Sequence, residues 1–245
     1  MRSRLRTSSL LFGLFAVAAP LSFGDSAQPM PPNPVLAELF TSQSCSSCPP
    51  AEEFFSELTQ RNDVVVIEWH VDYWDELVHG RAGKWEDPYS SPQYSERQRA
   101  YNIALRGMSS VYTPQAIING RFETTGSRGR AVSQLISSAP ETSAFITAEK
   151  SSVTVSATAV SSDINAEVLM VKLLPEQTTN VPRGENKGRT LASRNVAVGT
   201  RTLGHWTGET SNYAIPDLPA GYDCAILVQD KSTMKLYGAS YCAAG

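Results

Sequence analysis

Short apolar runs and helical stripes fill the first half of the chain, and two-residue alternation fills the second. Leu36 to Phe40 reads as a short buried strand. From Ala51, apolar residues return at Phe54, Phe55 and Leu58, the spacing of one face of an amphipathic helix. Val64-Val65-Val66-Ile67 is apolar and β-branched without alternation, the pattern of a parallel strand covered on both faces. Tyr94, Tyr101 and Leu105 predict another helix. Gln115 to Ile118 and Arg121 to Thr124 flank Asn119-Gly120, a dipeptide suited to the positive φ angles of a tight hairpin. Gly126 and Ser127 open a last helix with Val132, Leu135, Ile136 and Ala139 on one face. A helix crosses between the first two strands, so they are expected to be parallel, and residues 33–140 to form an α/β layer.

After Pro140 the stretches Val153/Val155/Ala157, Ala166/Val168/Met170, Cys224/Ile226/Val228 and Leu236/Gly238 predict mostly antiparallel β-structure. Residues 141–245 then form a second domain or a β layer packed on the first. Two segments show no period. One follows Asp75 as far as Pro92 and carries Trp85 and Tyr89. The other, Asn180 to Arg194, is polar and Gly-rich and reads as a long loop, in which Arg183-Gly184-Glu185-Asn186 is either a lid over the active face or, the preferred reading, a surface turn.

Composition narrows the class. The 245 residues are 41% hydrophobic and 18% charged, with a net charge of -3, which describes a folded, slightly acidic protein and argues against a nucleic-acid partner. Arg2, Arg4 and Arg6 precede the apolar run Leu10 to Ala19, and Ser22 and Gly24 stand before Asp25. That is the pattern of a secretory signal peptide over residues 1–24, cleaved after Gly24. The run falls short of the about 20 residues that span a bilayer, and no later segment approaches that length. A periplasmic or secreted protein without a membrane span is expected, in a compartment where disulfides persist.

Cys45-Ser46-Ser47-Cys48 lies between the first strand and the first helix. Unpaired amides and the positive end of a helix dipole favour a thiolate there, which makes Cys45 the candidate nucleophile. Cys48, two residues further on, is placed to attack the mixed disulfide so formed. The same pair also suits a permanent staple, or half of a metal site. With Cys45 as the helix cap, Pro49 fits the first turn and Pro50 is expected to kink the next. Cys224 and Cys242 flank a hairpin with its turn near Asp230 to Thr233. Their disulfide would stabilise the β layer by about 2 to 4 kcal/mol, although simple registration sets them three positions apart. His70 and Asp72 stand at the carboxyl end of the second strand, the edge where open α/β sheets bind ligands. Two residues apart on an extended strand, they would share a face and, with Cys45 and Cys48, form a metal site or tune the thiolate, or else be a satisfied pair that fixes the Trp69/Trp74 loop. Tyr73, Trp74, Trp85 and Tyr89 serve either as an apolar lip for a protein substrate or as core.

The strand and cysteine pair of Leu36 to Cys48, the strand Val64 to Ile67, Thr113-Pro114 and the Asn119-Gly120 hairpin resemble a thioredoxin or glutaredoxin fold in order and spacing. Glu38 to Gln43, His70 to Asp75 and Tyr112 to Gln115 further resemble a bacterial family of exported thioredoxin-like proteins of unknown function. The resemblance implies that Pro114 is cis and faces Cys45, and that Thr113 pairs with an extended substrate segment. It also implies a proton-relaying role for Glu38, seven positions before Cys45, although the spacing departs from the common pattern by one residue. Ser46-Ser47 matches none of the dipeptides of thioredoxins, glutaredoxins or strong periplasmic oxidants, so the redox direction stays open.

These readings converge on an exported thiol-disulfide oxidoreductase. Its partners would be a cysteine-containing protein substrate and a redox partner protein, with Thr113, Pro114 and Trp74 as the substrate contact. A copper-binding module using Cys45, Cys48 and His70 is one alternative, since soft thiolates select Cu(I). A non-catalytic binding protein with a structural Cys45–Cys48 bond is another. No cofactor is expected, because no nucleotide-binding glycine motif stands between a strand and a helix.

Overall fold

The computed structural model describes residues 33–77, 85–157 and 164–243. The segment read as a signal peptide, 1–24, lies outside the described residues. In chain order the elements are β1 (Val35–Thr41), α1 (Pro49–Leu58), β2 (Val64–His70), α2 (Tyr73–Leu77), α3 (Pro92–Arg106), β3 (Gln115–Ile118), β4 (Phe122–Thr125), α4 (Gly129–Ser137), β5 (Ala144–Ala148), β6 (Ser152–Ala157), β7 (Ala166–Asn180), β8 (Thr190–Trp206), β9 (Ser211–Ala214), β10 (Asp223–Gln229) and β11 (Leu236–Tyr241). Eight strands form one sheet in the order β11-β10-β7-β8-β2-β1-β3-β4, and β5, β6 and β9 form a smaller one.

β1 and β2 run parallel, as the helix between them requires, and β3 pairs antiparallel with β1. Asn119 and Gly120 take φ angles of 49° and 61° in the β3–β4 turn. The Asn119 side chain also accepts a 2.8 Å bond from the Leu36 amide, which ties the turn to β1. Strand alternation then sorts side chains between two faces. Leu36, Phe40, Val65, Ile67 and Trp69 pack with Tyr94 and Tyr101 of α3, whereas Ala37, Leu39, Val64 and Val66 pack with Ala51, Phe55 and Leu58 of α1 and Val132 and Ile136 of α4. Glu68 and His70 belong by the same alternation to the α1 face.

The second half of the chain does not form a sheet apart. β8 joins β2 in parallel at Glu68 and Val196, so β7, β8, β10 and β11 extend the central sheet. The small sheet lies against this extension around Val153, Val155, Val168, Trp206 and Ile226. Asn180 to Arg194 is the end of a long hairpin rather than a loop. β7 and β8 stay paired from Glu176–Arg194 to Asn180–Thr190, leaving a tip of residues 181–189. Apart from buried Leu191 and exposed Ala192, the ribbon residues 176–180 and 190–194 are polar, so the segment carries no apolar alternation to read.

The Cys224–Cys242 disulfide is formed, with Cα atoms 5.3 Å apart. An irregularity between Val228 and Gln229 shifts the β10–β11 register, and the Cys242 amide donates to the Cys224 carbonyl at 2.8 Å. The turn closes with Asp230 opposite Lys235, two positions later than a turn ending at Thr233, and the one-residue shift supplies the rest of the offset expected from simple registration.

Candidate functional site

The carboxyl ends of β1 and β2 and the start of α1 meet at the Cys45–Cys48 disulfide, whose Cα atoms are 5.5 Å apart. The cap of α1 is Cys48, not Cys45, and Pro49 and Pro50 both occupy the first turn. Neither proline then removes a donor that the helix needs, which is why no kink follows. The loop is held by its own backbone, with Cys45 N–H on the Ser42 carbonyl at 3.0 Å and Cys48 N–H on the Cys45 carbonyl at 3.2 Å. The Ser47 hydroxyl lies 3.3 Å from Cys45 Sγ, a donor for a thiolate formed there. Both cysteines are 0% exposed.

Beneath this loop, on the α1 face, lie four buried ionisable groups. Glu52 of α1 accepts a 2.6 Å bond from the Thr41 hydroxyl, and burial holds its carboxyl above the usual carboxylate range despite the opposing pull of His70. His70 Nδ1 meets Asp87 Oδ2 at 2.8 Å. Burial pushes the imidazole toward neutrality, but Asp87, joined by Glu52 and Asp75, outweighs it and holds the His70 pKa above its ordinary value. Burial acts in the opposite sense on Asp87, and His70 outweighs it to keep that carboxylate ionised. Glu68 is the odd member. It is fully buried, and neither of its carboxyl oxygens has a hydrogen-bond partner. Ser193 and the Arg194 amide flank it outside bonding geometry, and His70 Nε2 lies 4.0 Å from its Oε2. Burial first, then the neighbouring Glu52 charge, raises its pKa well above the ordinary value. Unpartnered atoms gather here, since Gln43 Oε1, Ser44 Oγ, His70 Nε2 and Ser193 Oγ are also buried without partners.

Two residues expected at the site stand elsewhere. Glu38 points to the α3 face, where its carboxylate takes bonds from Trp69 Nε1 at 2.9 Å, Arg97 Nε at 2.8 Å and the Tyr101 hydroxyl. The odd spacing from Cys45 turns it to the wrong side of the sheet. Asp72 lies past the end of β2 and is bonded to Ser95 of α3 through both its backbone amide and its carboxylate, so it does not share a face with His70. Asp87, from the stretch that showed no period, supplies the carboxylate instead.

Among the expected substrate contacts, the Thr113–Pro114 bond is cis. Trp74 Nε1 donates to Thr113 Oγ1 at 2.6 Å, joining α2 to that turn. Pro114 and Ala51 both border Gly126, where an added Cβ would come within 3.4 Å and 3.3 Å of them, so the turn lies beside the first turn of α1. Tyr89 stacks edge-on against His70 at 5.5 Å. Among the described residues, with Cys45 and Cys48 bonded to each other, no group of three or more His, Cys, Asp or Glu side chains is arranged to hold a metal ion.

The tip of the β7–β8 hairpin takes the lid arrangement rather than the preferred surface turn, folding over the disulfide. Asn186 Nδ2 donates to the carbonyls of Gln43 and Cys45, both at 2.9 Å, and Glu185 Oε2 accepts from the Ser46 amide at 3.0 Å. Gln43 Nε2 reaches Thr179 Oγ1 at 3.0 Å, while its amide donates to Asp87 Oδ2 at 2.8 Å.

Residues 36–229 match the model of a family described as protein of unknown function, DUF1223. The chain belongs to that family. A structural-genomics crystal structure of a protein from Agrobacterium tumefaciens is similar at 30% identity and a TM-score of 0.68, over 88% of this chain and 96% of that one. HBP35 of Porphyromonas gingivalis shares the fold at 13% identity and a TM-score of 0.57, over 87% of this chain and 76% of that one. No curated protein matches.

In this DUF1223 chain Glu52, Glu68 and Asp87 stand at the site without having been singled out from sequence, and Glu185 and Asn186 stand there as the lid reading of their turn requires. Glu68 had a visible signal, a carboxylate inside the apolar run that ends at Trp69 and two positions before His70. Glu52 stands at the edge of the apolar stripe of α1. Asp87 comes from a segment without period and had none.

Proposed function

We propose that this DUF1223 protein is an exported thiol-disulfide oxidoreductase that exchanges disulfides with protein cysteines through Cys45 and Cys48. Residues 33–140 would act as a thioredoxin-like unit, and Thr113, cis-Pro114 and Trp74 would orient an extended substrate segment. The observation that carries the reading is the Cys45–Cys48 disulfide closed at the mouth of α1 above buried groups that lack partners. A structural staple needs no unsatisfied acid behind it, whereas disulfide cleavage needs a proton for the departing sulfur.

A substrate thiolate attacks Cys45 Sγ, the Cys45–Cys48 bond breaks, and Cys48 leaves as a thiolate. Glu52 follows Cys48 by one helical turn and burial raises its carboxyl pKa, which makes it the candidate acid for protonating Cys48. His70, Asp87 and Glu68 complete a buried chain able to reload it. The signal-like amino terminus and the second disulfide support export, and among the described residues no helix is long and apolar enough to cross a membrane.

The test is disulfide exchange with a model protein substrate. Cys45→Ala should abolish it and Cys48→Ala should trap a mixed disulfide at Cys45, whereas unchanged exchange in Cys45→Ala would overturn the assignment. One observation favours a second reading, a non-catalytic protein with a structural Cys45–Cys48 bond: both sulfurs are wholly buried. In that case neither variant changes exchange, and Cys45 forms no mixed disulfide.

A further inference from the structure

Wholly buried sulfurs cannot meet a thiol on another protein unless something moves, and one element is built to do so. Within the hairpin tip 181–189 the buried residues are Val181 and Asn186, flanked by exposed Arg183, Glu185, Lys187 and Arg189. Polar bonds rather than apolar area therefore hold the tip down. The bonds from Asn186 to the Gln43 and Cys45 carbonyls and from Ser46 to Glu185 clamp the backbone on both sides of Cys45. Arg189 Nη1 donates to Asn186 Oδ1 at 2.9 Å, which fixes the amide in its donating orientation. An element with little buried apolar surface, attached by a few hydrogen bonds, opens at low cost compared with global unfolding.

We propose that the β7–β8 hairpin tip is a gate on thiol access to Cys45, latched by Asn186 and Glu185 and released when Cys45 becomes a thiolate. This rests on the exchange reading above. The partner class is a dithiol, as on a protein carrying a reduced C-x-x-C pair. One thiolate of the dithiol bonds to Cys45 Sγ as Cys48 departs with the electron pair and takes up a proton. The second thiol of the partner, having lost its proton, then attacks its own sulfur in the mixed disulfide and expels Cys45 as a thiolate. The partner ends oxidised by two electrons and this protein reduced by two. The new charge is on the residue next to Ser46, whose amide holds the Glu185 carboxylate, and like charges repel. The disulfide form is neutral there and keeps the latch closed. By reciprocity, a latch that prefers the disulfide also protects it from reduction.

The experiment is rapid-mixing reduction of the full chain by dithiothreitol and by a small protein dithiol, in wild type, Asn186→Ala and Glu185→Gln. A gate makes the wild-type rate level off as reductant rises, because opening becomes limiting, and both reductants reach one ceiling. Asn186→Ala, which lacks two hydrogen bonds, should raise the protein-dithiol rate about tenfold or more, and Glu185→Gln should raise it less. Rates linear in reductant and equal in all three proteins would overturn the gate while leaving exchange intact. If the disulfide stays closed to both reductants even in Asn186→Ala, the exchange reading itself fails, and the gate with it. Should Asn186→Ala fold poorly, hydrogen exchange in wild type decides. Amides of 181–189 should exchange faster in the dithiol form than in the disulfide form, and equal protection would overturn the proposal.

Discussion

Glu38 and Glu68 stand on neighbouring parallel strands, one step apart in register, and are equally buried, yet they belong to different kinds of site. Glu38 pairs with Ile67 and Glu68 with Leu39 across β1 and β2, so alternation sends the two carboxyl groups to opposite faces of the sheet. On the α3 face, Glu38 is bound by Trp69, Arg97 and Tyr101, and Arg97 Nη2 completes an ion pair at 2.7 Å while its guanidinium lies 5.1 Å from both ring centres. On the α1 face, Glu68 has no bonded partner, and burial raises its pKa well above the ordinary value. A satisfied buried acid welds elements together.

The comparison breaks most sharply at Arg97. Arg97→Ala leaves Glu38 as an uncompensated buried charge and should cost about 3 to 5 kcal/mol in denaturant unfolding, with the Cys45–Cys48 reduction potential unchanged. If the potential moves with it, the two faces are not independent. Asp87→Asn comes next, because it removes a buried charged hydrogen bond worth about 1.5 to 3 kcal/mol. His70 has its pKa raised in the folded protein, so its contribution is complete below its unfolded value and lost as pH rises through the folded one. Asp87 is lowered, so its contribution is complete above its unfolded value and lost as pH falls through the folded one. The loss in Asp87→Asn should therefore peak between about pH 4 and 6.5, the ordinary values of the two groups, in unfolding curves taken across pH.

Glu68→Gln should do the opposite of Arg97→Ala. A raised carboxyl pKa costs stability once pH exceeds its unfolded value, so the variant should match wild type in acid and gain about 1 to 3 kcal/mol at neutral to alkaline pH. Its exchange rate should also lose part of its pH dependence. A loss of stability at every pH would mean that Glu68 is satisfied after all. The smallest effect is expected from Trp74→Phe, away from both clusters. It should cost about 0.5 to 1.5 kcal/mol for the bond to Thr113 and weaken protein substrates more than dithiothreitol in steady-state exchange.

The sequence made the parallel β1–β2 pair, the Asn119-Gly120 hairpin and the position of Cys45 and Cys48 legible because each has a local signature. Facing was harder. Glu38 looked like the acid because it shares a strand with the approach to Cys45, but its face depends on an alternation counted through to Thr41. Asp87 and Asn186 reach the site from 44 and 143 residues beyond Gln43, through contacts without local pattern. The continuous sheet was hidden for a similar reason, since β8 meets β2 at the single pair Glu68–Val196. Nothing in either strand announces it.

The most direct measurement is a redox titration of the purified protein in glutathione and dithiothreitol buffers, with free thiols trapped by alkylation and each cysteine located by peptide mass mapping. The account predicts that Cys45 and Cys48 titrate together, reversibly, at an intermediate potential, while Cys224 and Cys242 stay oxidised. A Cys45–Cys48 bond that resists reduction below roughly -300 mV would contradict it and make that bond a staple.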